Sequence, residues 1–219
     1  MLNIQIFPVG MLGTNAYVVT DAATGETAVI DPGFDQPDFA AAVAQAGNVT
    51  KILLTHGHYD HIGGVAALQR RTGAKIYLYK DEAEFPQNSS LNLDRQLGGR
   101  VTPFTADVLL SDGDTFALGE SQFTVLHTPG HTEGSCCFLS GDSLFTGDTL
   151  FCGSMGRTDF PTGNPQKIMA SLRRLAELDG DYDIYPGHGP KSRLSWEREN
   201  NPYMRQEMGA NGKTHDFVY

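Results

Sequence analysis

The sequence predicts an α/β protein that carries its chemistry in loops at the ends of its strands. Short runs rich in β-branched and aromatic residues recur along the chain, and three segments carry apolar residues at helical spacing. Glycine, aspartate and proline cluster where the runs end, as in "DPG" at 31–33 and "PGHG" at 186–189. Loops of this kind usually hold the binding and catalytic residues of an α/β scaffold.

The predicted strands begin at the N-terminus, where Leu2, Ile4 and Ile6 alternate with polar residues as in a strand with one buried face. The run "KILLT" has the continuous apolar centre of a strand buried on both faces. In chain order the predicted strands are "NIQIF", "AYVVT", "TAVID", "KILLT", "KIYLY", "FTVLHT", "CCFLS" and "DIYP".

Three segments are predicted to be helices. The first, "PDFAAAVAQAG", ends in a glycine, which is a common helix stop. In the second, "GGVAALQRRTG", Val65 and Leu68 lie on one side. The strongest is "PQKIMASLRRLAELDG", whose apolar side chains at helical spacing are Ile168, Leu172, Leu175 and Leu178.

We predict a single domain over residues 1–219, because no linker, low-complexity tract or strong internal repeat interrupts the chain. Residues 192–219 are expected to form a short C-terminal helix and tail, with the helix broken near Pro202. The sequence makes no prediction of the oligomeric state.

The composition excludes several classes of function. The chain of 219 residues has 16 Lys and Arg against 26 Asp and Glu, a formal net charge of −10, so nucleic acid and anionic membranes are not expected partners. No stretch approaches a membrane span, and the N-terminus lacks the basic start of a signal peptide. The three cysteines, without a CxxC pair, indicate a reducing compartment. We therefore expect a cytoplasmic protein.

The segment "THGHYDH" at 55–61 is the strongest functional signal in the sequence. His56 and His58 are two residues apart, so in extended chain their side chains point the same way, and Asp60 continues that spacing. His61 falls where the chain turns toward the helix beginning at "IGGV". Imidazoles and carboxylates held this close are favourable around a divalent cation, so the segment predicts a metal site.

Three further candidate ligands lie at the ends of later strands. His131 is in "TPGHTEG", Asp148 is in "LFTGDTLF", and His188 is in "IYPGHGP". Each has a glycine beside or near it, which allows the backbone to approach closely and turn sharply. Each alone is more typical of an ordinary polar loop residue, but as a set they complement the histidine-rich segment. His127 and His215 match no ligand motif.

Together, "THGHYDH", "TPGHTEGS", "LFTGDTLF" and "YPGHGP" resemble the metallo-β-lactamase superfamily. The resemblance implies an αββα sandwich, in which two sheets pack face to face with helices outside and the metal site lies along one edge. It also implies that two metals are bound, the first by His56, His58 and His131, and the second by Asp60, His61 and His188, with Asp148 bridging them. Zinc is the expected metal, with iron and manganese as alternatives.

The stretch "LFCGSMGRTDFPTGNP" and the tail "SWERENNPYM" resemble the short glyoxalase II-like group of that superfamily. This resemblance implies a metal-dependent hydrolase of glutathione-type thioesters that converts S-lactoylglutathione to lactate and glutathione. A metal-bridging hydroxide, oriented by Asp60 as the catalytic residue, would attack the thioester carbonyl. Because only 31 residues follow His188, the longer helical C-terminal domain of full-length glyoxalase II is expected to be missing or reduced to one helix.

The main alternative is a persulfide dioxygenase, because those enzymes share the GRTDF segment and the histidine-rich loop. Such an enzyme would use one iron, bound by two histidines and an aspartate, on glutathione persulfide. A non-enzymatic metal-binding module is a weaker alternative, because a structural site is closed by four ligands, whereas seven ligands for two metals leave positions for water and substrate.

Four residues are candidates for contacting the substrate. Lys191 and Arg193 follow "PGHGP" and are expected near the second metal, where they would pair with carboxylates of a small-molecule thioester. Arg157 lies in the GRTDF segment, with an ion pair to Asp159 as the structural alternative. The Tyr59 ring is expected either to line the site or to pack away from it.

Overall fold

A computed structural model describes residues 1–208, which include two six-stranded sheets. The first sheet has the strands in sequence order, with β1 paired to β2 and β2 to β3 in antiparallel fashion, and with the last four strands parallel. Its strands are β1 (Leu2–Val9), β2 (Thr14–Asp21), β3 (Thr27–Ile30), β4 (Val49–Leu54), β5 (Lys75–Tyr79) and β6 (Val108–Leu110).

The second half of the chain forms the second sheet and a small two-stranded ribbon. The elements are β7 (Thr115–Leu118), β8 (Ser121–His127), β9 (Cys136–Ser140), β10 (Ser143–Gly147), the ribbon β11 (Leu150–Phe151) and β12 (Ser154–Met155), then β13 (Asp183–Pro186) and β14 (Ser192–Arg193). The order across the sheet is β14, β13, β10, β9, β8, β7.

Helices cover the outer face of each sheet. They are α1 (Pro37–Ala46), α2 (Tyr59–Ile62), α3 (Val65–Thr72), α4 (Ser89–Asn92), α5 (Pro165–Ala176), α6 (Leu194–Asn200) and α7 (Pro202–Met208). Short 3-10 helices occupy Lys80–Glu82 and Phe85–Gln87.

Three apolar cores hold the layers together. In the first, Phe39 of α1 and Leu68 of α3 pack with Ile52 of β4 on the outer face of the first sheet. The second lies between the sheets, and the third joins the second sheet to Leu172 of α5 and Leu194 of α6. This helix–sheet–sheet–helix stack confirms the predicted αββα sandwich.

The strand directions bring distant loops to one edge. In the first sheet β3, β4 and β5 are parallel, so the loops after them leave the sheet on the same side. In the second sheet β8 and β10 are each antiparallel to β9, and β10 is parallel to β13, so the loops after β8, β10 and β13 also leave together. Ligand sites of open α/β sheets form where such ends meet.

The predicted strands and helices are confirmed, with differences at their ends. Helix α3 ends at Gly73, whose φ of 69° is the left-handed conformation that glycine adopts readily. Helix α5 ends at Ala176, so Leu178 packs against the third core from outside the helix. Strands β6, β7 and β10 were not among the predicted strands.

The C-terminal region contains two helices where the sequence predicted one broken near Pro202. Helix α6 ends at Asn200 and α7 begins at Pro202. Residues 209–219, which include His215 and most of the predicted tail, lie outside the described residues. Within residues 1–208, no helix combines the length and the apolar character needed to cross a membrane.

Candidate metal centre

The structure brings all seven predicted ligands to the edge where the strand ends meet. Their side chains form three overlapping groups whose possible ligand atoms lie within 4.8 Å of one another. The groups are His56, His58 and His131; His56, His61 and Asp148; and Asp60, His61 and His188. The donors therefore form two adjoining sets. The deeper set is His56, His58 and His131, the outer set is Asp60, His61 and His188, and Asp148 lies beside both.

Three imidazoles form the deeper set, and all are buried. The ring centroids of His56 lie 4.8 Å from those of both His58 and His131, and the rings meet edge to face. Nδ1 of His58 lies 2.9 Å from Nε2 of His131. At this distance the two nitrogens either share a proton in a hydrogen bond or face a common cation, so both are directed into the cluster.

The outer set combines histidines with carboxylates. Nε2 of His188 lies 3.3 Å from Oδ2 of Asp60, and Nε2 of His61 lies 3.5 Å from the same oxygen. Asp148 contacts both sets, because Oδ2 lies 3.4 Å from Nε2 of His131 and Oδ1 lies 3.3 Å from Nε2 of His61. Asp148 thus occupies the place that a bridging ligand requires.

The buried atoms in this cluster test whether a cation fits. Among the described residues, Nε2 of His56, Nε2 of His61 and Oδ1 of Asp148 are buried and have no hydrogen-bond partner. Buried polar atoms are normally paired, because an unpaired one costs free energy. Nε2 of His58 is also unpaired, while its Nδ1 faces the cluster. The set of imidazole and carboxylate donors fits divalent cations such as zinc, iron and manganese.

Neighbouring groups orient three of the imidazoles. Nδ1 of His61 lies 2.9 Å from Oδ2 of Asp31, and Nδ1 of His131 lies 2.7 Å from the carbonyl oxygen of Arg157. Nδ1 of His56 lies 3.2 Å from the hydroxyl of Thr55. In each ring the other nitrogen, Nε2, is left for the cluster, which is how metal-binding histidines are usually oriented.

The pKa values of the histidines in the deeper set favour their neutral form. Burial, reinforced by repulsion from neighbouring histidines, lowers the pKa of His58 to about 3 and that of His56 well below its ordinary value. Burial alone would also lower the pKa of His61, but the carboxylates of Asp148, Asp60 and Asp31 raise it. The deeper imidazoles are therefore neutral at pH 7, and neutral imidazole is the form that binds a metal.

Asp60 is held in a defined position. Its Oδ2 accepts a hydrogen bond of 2.7 Å from the hydroxyl of Thr14, a residue on β2 of the first sheet. Burial would raise the pKa of Asp60, yet His61 and His188 lower it to about 2, so the carboxylate is ionised. A fixed, ionised carboxylate within the outer donor set can accept a hydrogen bond from a bound water and orient it.

Close backbone approach explains one of the glycines. A Cβ placed on Gly187 would lie 2.2 Å from Oδ1 of Asp148, so any side chain there would displace this ligand. The loop that carries His188 can therefore pass beside Asp148 only because residue 187 is glycine.

Two carboxylates that support the cluster were not predicted from the sequence. Asp31 belongs to the "DPG" segment, which indicated only a strand end. Glu82 is fully buried, and its oxygens accept hydrogen bonds of 2.8 Å from the backbone N–H groups of Gly57 and Gly134. It therefore ties the loop that carries His56 and His58 to the loop that carries His131. Nothing in the local sequence around Glu82 indicates this role.

A cavity of about 430 Å³ opens over the ligands. Besides the ligands, its walls include Leu12, Leu97, Met155 and Phe160, with Arg157 as a charged group. Arg157 forms the alternative ion pair considered above, because its Nε and one terminal nitrogen each lie 2.6 Å from Asp159 carboxylate oxygens. Its guanidinium also stacks over the Phe160 ring at 4.1 Å, so it is both ion-paired and part of the cavity wall.

The other three predicted substrate contacts lie elsewhere. Nζ of Lys191 is 3.2 Å from the hydroxyl of Tyr185 and 4.4 Å from the centre of that ring. Arg193 forms ion pairs with Asp181 and Asp183. Neither cation lines the cavity over the ligands. Tyr59 lines a separate cavity beside it. Substrate contact by these three residues remains a prediction.

Residues 9–188 match the family model described as the metallo-beta-lactamase superfamily. The chain belongs to this superfamily. Among its relatives is the hydroxyacylglutathione hydrolase GloC of Haemophilus influenzae, 32% identical over 212 residues that cover 94% of this chain and all of GloC.

Solved structures of the superfamily agree with the fold. BLEG-1 B3 metallo-beta-lactamase is 33% identical with a TM-score of 0.83, and covers 93% of this chain and 99% of its own. TTHA1623 in a di-iron-bound form is 34% identical with a TM-score of 0.81, over 91% of this chain and 99% of its own. ETHE1 from Myxococcus xanthus is 28% identical with a TM-score of 0.76, over 96% of this chain and 92% of its own.

Proposed function

We propose that this protein is a metal-dependent thioester hydrolase that acts on acylated glutathione-type thiols, with S-lactoylglutathione as the first substrate to test. The observation that carries the proposal is the pair of adjoining donor sets at the base of an open cavity, with Asp148 in contact with both. The similarity to the hydroxyacylglutathione hydrolase GloC supports the same substrate class.

The seven ligands fit two divalent cations, with His56, His58 and His131 on one, Asp60, His61 and His188 on the other, and Asp148 shared. Such cations, when bound, lower the pKa of water toward neutrality and polarise a carbonyl. The protein then contributes positions: Thr14 holds the Asp60 carboxylate, and Asp60 can accept a hydrogen bond that orients the attacking water. Arg157 and Phe160 provide a charged and an apolar wall against which the substrate can be oriented.

A covalent mechanism through Cys136 or Cys137 has no support. Cys136 and Cys137 are both buried, and burial raises the pKa of Cys136 well above its ordinary value and that of Cys137 to about 12. A nucleophilic cysteine needs a lowered pKa and access to substrate. A thioester is already activated, so an oriented water is a sufficient nucleophile.

A persulfide dioxygenase is the second candidate, because the fold is similar to ETHE1 from Myxococcus xanthus. His56, His61 and Asp148 lie within 4.8 Å of one another and supply two histidines and one carboxylate. This donor set is typical of a mononuclear iron site. The two candidates differ in whether the reaction consumes O₂.

The deciding experiment compares substrates on one protein preparation loaded with zinc or with iron. Hydrolysis of S-lactoylglutathione is followed with oxygen excluded, and oxygen uptake is followed separately with glutathione persulfide. Anaerobic turnover of the thioester, lost in Asp60→Asn, supports the hydrolase. Oxygen uptake without thioester turnover replaces it with the dioxygenase. A β-lactam chromophore is the third substrate, because BLEG-1 B3 metallo-beta-lactamase has a similar fold; hydrolysis of it alone would overturn both assignments.

A further inference from the structure

A second cavity of about 240 Å³ lies beside the metal centre. It is bounded by the turn between β1 and β2, by the loop after β3, and by the segment before β6. We call it the side cavity; its larger lining side chains are Met11, Leu12, Phe34, Tyr59, Leu97 and Arg100. None of the metal-centre contacts described above explains why this space exists.

The side cavity adjoins the cavity over the ligands. Leu12 and Leu97 line both spaces, and so does Asp60, which belongs to the outer donor set. A substrate whose reacting group lies beside Asp60 therefore has the side cavity next to it, on the far side of these two leucines.

The walls of the side cavity are apolar and open to solvent. Met11 is 98% exposed, Phe34 is 56% exposed and Leu97 is 43% exposed, although all three are large apolar side chains. Large apolar side chains that gather around one opening, rather than lying singly on a surface, indicate a binding site. An apolar group that enters the side cavity covers these side chains, and the removal of their apolar surface from water favours binding.

Glycines shape the side cavity at two places. A Cβ on Gly99 would lie 2.1 Å from Cδ2 of Tyr59, so only glycine allows the backbone to lie against that ring. Gly10 has a φ of 66°, a left-handed conformation, and its missing side chain leaves space next to Phe34. The Tyr59 ring is thus held in the wall of the side cavity.

We propose that the side cavity binds the acyl chain of the thioester, and that the preferred substrates are thioesters of extended apolar acyl groups. This inference rests on the proposed thioester hydrolase and goes beyond it by naming the substrate class. A lactoyl group is short and carries a hydroxyl, so it would leave the side cavity empty. A linear chain of several methylenes would bury itself against Met11, Phe34 and Leu97.

The thiol carrier is a poorer occupant of the side cavity. Glutathione carries carboxylates, whereas most of the large side chains that line the side cavity are apolar. Arg100 is the one cationic side chain of the lining and is exposed at the rim. Burying a carboxylate among apolar side chains is costly, whereas burying methylenes is favourable. The carrier is therefore assigned to the opposite side, where the cavity over the ligands contains Arg157.

The first test is a series of S-acylglutathiones with acetyl, butyryl, hexanoyl and octanoyl groups. Each methylene that enters the side cavity should raise kcat/KM by about fourfold. The hexanoyl chain has four more methylenes than the acetyl group, so with at least two of them in the side cavity its kcat/KM should exceed that of the acetyl ester by about 16-fold or more. Equal kcat/KM values across the series, or a decrease with length, would overturn the inference.

A substitution locates the effect. Phe34→Asp places a charge in the wall of the side cavity at a half-exposed position, and should reduce the octanoyl-to-acetyl ratio of kcat/KM by about fivefold or more. The matched control is Leu109→Asp, because Leu109 is 53% exposed on β6 and does not line the side cavity. A ratio unchanged in Phe34→Asp, or reduced equally in both variants, contradicts the proposal.

Direct binding separates this inference from the proposed function. With methionine methyl groups labelled with ¹³C, hexan-1-ol should shift the Met11 signal and leave Met169, on α5, unchanged. The shift should be lost in Phe34→Asp.

The two measurements fail independently. Absence of turnover for every thioester, including the acetyl and lactoyl esters, defeats the proposed function, yet a Met11 shift would still support an apolar-chain site. No Met11 shift at millimolar hexan-1-ol overturns the site even if thioesters are hydrolysed.

Discussion

Oδ2 of Asp31 lies 2.9 Å from Nδ1 of His61, and both side chains are buried. The same carboxylate accepts hydrogen bonds from the backbone N–H of Thr55 at 2.8 Å and from its hydroxyl at 2.6 Å. Asp31 has a φ of 48°, so the chain turns there in the left-handed conformation. One residue thus joins the end of β3, the end of β4 and a ligand of the outer donor set.

Asp31→Asn should weaken metal binding at the outer donor set by 10- to 100-fold, which is the usual effect of losing a partner that orients a ligand. Asparagine tolerates the left-handed backbone, so the turn is kept. The NH2 of the asparagine amide replaces one of the two carboxylate oxygens, however, so it must face a hydrogen-bond donor of either Thr55 or His61. The measurement is metal affinity by competition with a chelator. Wild-type affinity for both metals would show that the Asp31–His61 contact does not support the site.

His58→Ala and Asp148→Ala should each remove metal and activity together. His58 belongs to the deeper set, and Asp148 contacts both sets. Metal content per chain is measured in purified protein, alongside turnover. The matched control is His127→Ala, because His127 stacks on the Tyr79 ring at 4.3 Å and belongs to neither donor set. Full metal content and near-normal turnover in both ligand variants would refute the assignment.

Glu82 should make folding stability depend on pH in an unusual direction. Burial raises its pKa from 4.5 to about 7, although hydrogen bonds from Thr132, Gly134 and Gly57 act the other way. Between pH 4.5 and 7 the folded protein therefore binds more protons at this residue than the unfolded chain does. Its contribution to the free energy of unfolding decreases as pH rises through that window, by an amount on the order of 3 kcal/mol.

Glu82→Gln isolates this contribution, because the amide does not titrate and other carboxylates are unchanged. The difference in the free energy of unfolding, wild type minus Glu82→Gln, is measured by urea denaturation from pH 4.5 to 7. We expect the difference to fall steadily with pH. A constant difference would mean that the hydrogen bonds from Gly57 and Gly134 keep Glu82 ionised throughout.

Replacing three cationic side chains in turn compares their contributions to KM. Arg157→Ala should raise KM for a glutathione thioester more than it lowers kcat, because Arg157 lines the cavity over the ligands. Arg71→Ala is the matched control, since Arg71 is similarly paired with an aspartate, Asp35, but lies outside that cavity. The sequence predicts the same KM effect for Lys191→Ala, whereas its contact with Tyr185 gives it a structural alternative. An unchanged KM in Lys191→Ala would support that alternative.

Glu197 should stabilise the ribbon β11–β12, which forms part of the wall of the cavity over the ligands. It is fully buried and accepts hydrogen bonds from the backbone N–H of Gly153 at 3.0 Å and from Asn201 at 2.7 Å. Glu197→Ala leaves these donors unpaired and should lower the free energy of unfolding by about 2–4 kcal/mol. Glu199→Ala, exposed on the same helix, should change it by less than about 0.5 kcal/mol. Equal effects in urea denaturation would contradict this role.

The strands and helices were predictable because their signals are local. Leu2, Ile4 and Ile6 alternate along β1, and the apolar spacing of α5 is carried by consecutive turns. Strand β10 was missed because its five residues contain a glycine and a threonine next to the ligand motif, and β6 and β7 are only three and four residues long. Short strands depend on partners in the sheet, and those partners are distant in sequence.

The candidate ligand residues could be identified from the sequence for a different reason. A metal site requires particular side-chain types, and these types are rare enough for "THGHYDH" to stand out. Asp31 and Glu82 were not identified, because aspartate and glutamate are common and their roles depend on which backbone N–H and imidazole groups the fold places beside them. Lys191 and Arg193 follow the His188 motif directly, yet the turn after β13 directs them to Tyr185 and Asp181.

The sequence by itself determined the donor types, their order and the strand ends that carry them, because these depend on residue chemistry and short-range spacing. The tertiary structure decided that the six strand ends meet at one edge, because this depends on β8, β10 and β13 running in one direction. It also decided that Tyr59 lines the side cavity, where Gly99 packs against its ring. Such outcomes depend on contacts between segments far apart in the chain, which local patterns do not encode.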